Sequence, residues 1–275
     1  MRPLQFGDED RSLFGIHHSP EPAQTGGLGV VICAPFGHEA IRSHRLFRVL
    51  AERLARAGSH VLRFDYYGTG DSGGDDAEGE LAGWARDVRS AHRELLRCAA
   101  PGQVVWIGAR LGASVALQAA QDDTLALPPK LLVFDPIVDG KAYLEAMRVL
   151  HVETLEESYS VIDPAWRHRL DHDPQAYLDE AIGFAISPAL RGQLAALDAA
   201  SLTPAPRTAV NVIASPDDEP VQRWVQGLQA ANAVDVDAIA LQHSLVWTSD
   251  DSLNSALVPA EALQAMLAAA GSWRG

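Results

Sequence analysis

The chain has 275 residues, 47% of them hydrophobic and 21% charged, which is enough to bury a full core in one α/β domain with an insertion. Its 22 basic residues against 36 acidic ones leave a formal charge of −14, which argues against nucleic acid or an anionic membrane as the main partner. The two cysteines, Cys33 in an apolar run and Cys98 near the end of a helical pattern, read as buried free thiols, and the cytoplasm is the expected compartment. The first ten residues lack the apolar segment of a secretory signal, and no run reaches the length of a membrane span.

In chain order, residues 4–6 and 12–17 predict a short hairpin. The continuous apolar run at 29–34 predicts a strand buried on both faces. Residues 43–57 place Leu46, Val49, Leu50 and Leu54 at helical spacing and stop at Gly58; 60–65 is the next strand. The stretch 80–98 carries Leu81, Trp84, Val88, Ala91 and Leu95 three or four residues apart, an amphipathic helix. A buried strand at 103–107 runs into a helix at 111–121, strands follow at 130–135, 208–214 and 234–241, and a helix closes the chain at 259–270. This alternation predicts an α/β fold with a mostly parallel sheet of about eight strands, helices on both faces and an antiparallel entry hairpin. It breaks once, over 139–205, a polar stretch with no convincing strand that predicts short helices over the strand ends. The expected organisation is therefore a core of 1–138 and 206–275 with a helical cap at 139–205.

Three motifs follow three successive buried strands: Cys33-Ala-Pro-Phe-Gly-His-Glu39, Arg63-Phe-Asp-Tyr-Tyr-Gly-Thr-Gly-Asp-Ser-Gly73 and Gly108-Ala-Arg-Leu-Gly112. The last has the glycine spacing of a nucleophile elbow, in which a strand turns sharply into a helix and projects the central residue into the crevice above the sheet. That residue is Arg110. A guanidinium stays protonated and cannot attack an acyl group. Ser114, one helical turn on, and Ser72, in a glycine-rich turn, lack the exposed elbow position and read as packing and loop-satisfying hydroxyls.

These motifs, in this order and spacing, resemble the α/β-hydrolase superfamily over nearly the whole chain, and within it the serine-aminopeptidase-like branch that includes exosortase-A-associated and biosynthetic-cluster hydrolases. The resemblance implies an oxyanion hole built from the backbone N–H of Leu111 and that of Phe36 or Gly37, with His38 and Glu39 in the same loop. It implies an acid after the 208–214 strand, Asp217 or Asp218 with Asp217 preferred, and a late histidine, for which His243 is the candidate. Relatives place that histidine directly before the closing helix, where this chain has Asn254 and Ser255. Asp135, ending another buried strand, is a second place for an acid and an ion-pair partner for Arg110. His168 and His172 form an i,i+4 pair without a third ligand, so no metal is expected, and no nucleotide motif or other cofactor site appears.

Two roles for Arg110 are consistent with the sequence: an anchor for a carboxylate, phosphate or enolate oxygen, and one half of a structural ion pair. The expected function is an enzyme without a covalent serine, in which His243 acts as base and Arg110 with the oxyanion donors stabilises negative charge on a small acyl or carboxylate-bearing substrate, in a biosynthetic setting. A pseudo-hydrolase that binds a ligand or protein partner is the alternative, and a hydrolase with an unexpected nucleophile the third. A homodimer is an admissible assembly.

Overall fold

A computed structural model describes residues 1–21, 27–122, 124–157, 165–206, 208–231, 234–243, 245, 247 and 258–273, with the side chains of 166 and 167 outside the description. The entry hairpin pairs β1 (Arg2–Asp8) with β2 (Arg11–His18) in antiparallel register, Leu4 opposite Gly15. The sheet continues with β3 (Leu28–Cys33), β4 (His60–Phe64), β5 (Gln103–Ala109), β6 (Lys130–Phe134), β9 (Ala209–Ala214) and β10 (Asp235–Ala240). Its order is β1-β2-β4-β3-β5-β6-β9-β10, and all pairs beyond β4 are parallel.

Both faces of the central strands are buried, which is why they read as continuous apolar runs rather than alternating ones. On β5, Val104 and Trp106 enter one core with helices α2 (Leu81–Ala99) and α3 (Leu111–Ala119). Val105, Ile107 and Ala109 enter the other with α1 (Gly37–Arg56) and α8 (Ala260–Gly271). The chain steps from β3 to β4 on one side, then crosses back over β3 to β5. A crevice therefore opens at the carboxyl ends of β3 and β5, between helices that leave on opposite faces, and such a switch point is where open α/β sheets bind ligands.

Helix α1 starts at Gly37, six residues earlier than the sequence periodicity suggests, so His38 and Glu39 lie in its first turn rather than in a loop. A helix not anticipated from sequence, α7 (Glu219–Ala231), fills the gap between β9 and β10. Between β6 and β9 come α4 (Gly140–Glu157), α5 (Trp166–His172) and α6 (Pro188–Ala195). The strand-free expectation for this segment is corrected by a hairpin of two-residue strands, β7 (Glu180–Ala181) and β8 (Phe184–Ala185). Among the described residues, no helix is long and apolar enough to cross a membrane. Cys33 and Cys98 are both free, Cys33 buried and Cys98 only half-buried.

Candidate functional site

The turn from β5 into α3 has the geometry of an elbow. A Cβ on Gly108 would lie 2.6 Å from the Ala113 Cα, and one on Gly112 would strike the Ala34 carbonyl oxygen. Both positions therefore exclude any side chain. Arg110 between them has φ 51° and ψ −127°, a strained combination for a non-glycine residue. The strain is held by the backbone: the Arg110 N–H donates to the Phe134 carbonyl at 3.0 Å, and its own carbonyl accepts from the Ala113 N–H at 3.0 Å.

The Arg110 side chain turns to Glu39, not to Asp135. Its Nε donates to Glu39 Oε1 at 2.9 Å, and the Tyr143 hydroxyl donates to Glu39 Oε2 at 3.0 Å. The carboxylate thus ties three elements together, α1, the elbow and α4. The guanidinium also lies over the Trp247 ring at 5.6 Å and the Tyr143 ring at 5.9 Å. Among the described residues, its terminal nitrogens make no hydrogen bond. Burial raises the Glu39 pKa above its ordinary value, while the charge and hydrogen bond of Arg110 and the bond from Tyr143 hold it down. Burial also works against the charge on Arg110, but Glu39, Tyr143 and Asp135 more than offset it, so the guanidinium stays protonated.

Phe36, Gly37, His38, Glu39 and Arg110 share the wall of a cavity of about 50 Å³. Tyr143, Met147 and Leu150 from α4, Ile182 from the β7–β8 turn and Trp247 complete it, a lining that is mostly apolar. Gly37, His38 and Glu39 of this lining form the first turn of α1, the end of a helix whose partial charge is positive. Of the backbone donors expected from sequence, Phe36 and Gly37 line the cavity, whereas Leu111 is buried outside its wall. His38 is engaged as an acceptor, taking the Arg42 Nε–H at 2.6 Å.

His243 pairs with Asp135 rather than with Asp217 or Asp218. Its Nε2 lies 2.8 Å from Asp135 Oδ2, which also accepts from Trp247 Nε1 at 2.9 Å, and its Nδ1 is buried with no hydrogen-bond partner among the described residues. Asp135 itself sits at φ 46° directly after β6. Asp217 instead accepts from Gln242 Nε2 at 2.7 Å, and Asp218 accepts the Val221 N–H at 3.1 Å at the start of α7; Asp217 is exposed and Asp218 half-buried. The physical reason is position: they lie in an exposed turn, while Asp135 lies next to the elbow in the sheet. Trp247 stands between the two groups, its ring in the cavity wall and its N–H on Asp135. Asn254 and Ser255, which stand where relatives place the late histidine, lie outside the described residues.

Neither alternative hydroxyl is poised to attack. Ser114 Oγ donates to the Ile137 carbonyl at 2.6 Å, and Ser72 Oγ donates to the Asp65 carbonyl at 2.6 Å while accepting the Phe14 N–H. His172 Nδ1 is bonded to the His168 carbonyl, and no group of three or more His, Cys, Asp or Glu residues able to hold a metal occurs among the described residues.

No family model matches the chain, and no curated protein matches it by sequence. Solved structures match it over nearly its full length. Est1E from Butyrivibrio proteoclasticus, with ferulic acid bound, superposes with a TM-score of 0.63 at 14% identity, covering 98% of this chain and 97% of that one. The bottromycin epimerase BotH, in complex with bottromycin A2, gives 0.56 at 17% identity and 99% of both chains. Mouse alpha/beta hydrolase domain-containing protein 10 gives 0.51 at 20% identity, covering 88% and 89%. At these identities the likeness speaks for architecture, and it agrees with the sheet order and the elbow: the chain has the α/β-hydrolase fold.

Proposed function

We propose that the chain is an enzyme that works without a covalent intermediate on a small, neutral, apolar acyl compound. The acyl carbonyl sits against Arg110 and the first-turn N–H groups of α1, and residues 139–205 act as a cap over it. His243, held by Asp135, takes a proton from the carbon beside the carbonyl. The electron pair left behind moves onto the carbonyl oxygen as an enolate, and the proton returns from the imidazolium in the reverse step. The observation that carries this reading is the half-used guanidinium: Nε on Glu39, terminal nitrogens without a hydrogen bond among the described residues, in the wall of the cavity.

Charge decides between a neutral acyl group and a carboxylate as ligand. Arg110 already faces Glu39 at hydrogen-bond distance and feels Asp135. A ligand carboxylate would be a third negative group around one cation. A carbonyl that becomes negative only during reaction gains most from Arg110 at that moment, which is how an enzyme lowers a barrier. The epimerase among the fold neighbours is compatible with proton transfer on this frame.

Trp247 favours a second reading, a pocket that binds an acyl ligand without turning it over. Its ring stands between the cavity and the Asp135–His243 pair, and the pair is outside the cavity wall. The experiment is incubation with a panel of short acyl thioesters in D2O, followed by NMR. Proton transfer gives deuterium at the carbon beside the carbonyl, lost in both Arg110→Ala and His243→Ala. Thioesters that bind without exchange establish the second reading, and exchange that survives either substitution overturns the first.

A further inference from the structure

The β7–β8 hairpin closes one side of the cavity at Arg110, with Ala181 and Ile182 in the wall. Its turn is Ile182-Gly183, and both residues have left-handed backbones, φ 51° and φ 83°. Glycine takes that conformation freely. A β-branched isoleucine there is an outlier and persists only where its surroundings hold it.

The hold comes from α4. His151 Nδ1 accepts the Ile182 N–H at 3.0 Å, so the imidazole is neutral and carries its proton on Nε2. His151 directly follows Leu150 and lies four residues after Met147, both in the same wall, so this bond joins two parts of the lining. The other strand of the hairpin is attached elsewhere. The Ala185 N–H donates to Asp76 Oδ2 at 3.3 Å, and the Phe184 ring meets that of Phe36 edge-on, with centroids 6.1 Å apart. The turn can therefore leave α4 while β8 keeps its place.

His151 is buried, its ring 6.0 Å from that of Tyr177. Among the described residues of α4, α5 and the hairpin, the charge that acts on it is that of Glu180, whose carboxylate also accepts the Gly183 N–H at 3.1 Å. Burial outweighs Glu180 and lowers the His151 pKa from its ordinary 6.5. A proton on Nδ1 would point at the Ile182 N–H, leaving two donors face to face and no bond.

We propose that His151 is a positioning residue and a proton-operated latch for the cavity at Arg110. Neutral, it holds the Ile182 turn in the wall; protonated, it releases the turn and opens that side of the cavity. Acid therefore regulates access to the site. This role rests on the cavity being the ligand site, whereas the latch itself is visible without any ligand.

The test is amide hydrogen exchange of the full chain by NMR, corrected for the intrinsic pH dependence of exchange. Once the turn is released the ring titrates at its ordinary 6.5, so the open form gains up to about tenfold for each pH unit below that value. Exchange at the Ile182 amide follows that rise between pH 7.5 and 5.5. His151→Asn offers a side-chain oxygen in place of Nδ1 and cannot titrate; it keeps the protection at pH 7.5 and loses the rise. His151→Phe fills the same space without an acceptor, and its Ile182 amide exchanges at least about tenfold faster at pH 7.5. Changes in global stability from His17 and His18 are common to all three chains. The same pH profile in the parent and in His151→Asn overturns the latch, as does full protection of Ile182 in His151→Phe. Either result leaves the D2O experiment on thioesters unaffected, so the two readings fail separately.

Discussion

Replacing the two ends of the Arg110–Glu39 pair, singly and together, tests whether the elbow side chain is a structural unit with α1. Glu39→Leu removes the only anion that, among the described residues, is hydrogen-bonded to a guanidinium whose side chain is 20% exposed. Stranding one member of a buried pair costs about 3–5 kcal/mol, and the partial exposure of Arg110 and the aromatic faces beside it set the lower end, about 3 kcal/mol. Arg110→Met strands a carboxyl that burial already pushes towards its neutral form. That group can escape by taking up a proton, so the expected cost is smaller, about 2 kcal/mol. The double variant leaves only the Tyr143 hydroxyl without its acceptor, a loss of about 1 kcal/mol. Urea unfolding at pH 7 therefore places the double variant above both singles in stability, with a coupling of about 3 kcal/mol or more. Single-variant losses that add to within about 0.5 kcal/mol would refute the reasoning, because independent sites add in that way.

Arg110→Ser yields no esterase activity on p-nitrophenyl acetate, since the side chain at position 110 faces Glu39 and not the imidazole of His243, whose Nε2 is taken up by Asp135; turnover above that of the parent chain contradicts this. His92→Leu destabilises by about 1–3 kcal/mol, read from the urea midpoint, because it strands the buried Trp106 Nε1 donor. Trp106 Nε1 donates to His92 Nδ1 at 3.2 Å, and His92 Nε2 donates to the Ala126 carbonyl at 2.8 Å; a loss below about 1 kcal/mol would mean these bonds carry little. His17 and His18 titrate at about 4 in the folded chain, lowered mainly by burial and then by His60 and Arg63 respectively. The unfolded chain takes up these protons from pH 6.5 downward, so stability is full above that value and falls until about pH 4. Unfolding at pH 5 should show a loss of about 2 kcal/mol for each histidine, about 4 kcal/mol together, relative to pH 7, and a flat profile would exclude the linkage.

Much of the frame is legible in the sequence because burial on both faces writes strands as apolar runs, and burial on one face writes helices at intervals of three and four. Gly108 and Gly112 are legible for a steric reason, as the backbone leaves no room for a Cβ at either. The partner of Arg110 is harder to read because Glu39 is 71 positions away and looks like a loop residue. A signal was present: Glu39, Ser43, Leu46, Leu50 and Leu54 continue one face of α1, and all are buried. Extending the helix backward along that face places a carboxylate inside the protein, where it needs a cation. The same spacing at Val221, Trp224, Val225 and Leu228 marks α7. The acid facing His243 was misplaced for a different reason. Chain order favours the turn after β9, but only the folded sheet shows that Asp135 is beside the elbow while Asp217 turns to Gln242. Strands of two residues, as in β7 and β8, are too short to leave any periodic trace.

The strained corner at residue 110 is paid for by its flanking glycines and by carbonyls of neighbouring strands, none of which depends on what the central side chain is. The corner is therefore a mount rather than a reagent. It exports one side chain from the sheet to the crevice, and the chemical nature of that side chain can change while the scaffold's geometry does not. A mount of this kind separates the inheritance of a position from the inheritance of a reaction. In this chain what the mount presents at the crevice is a permanent positive charge.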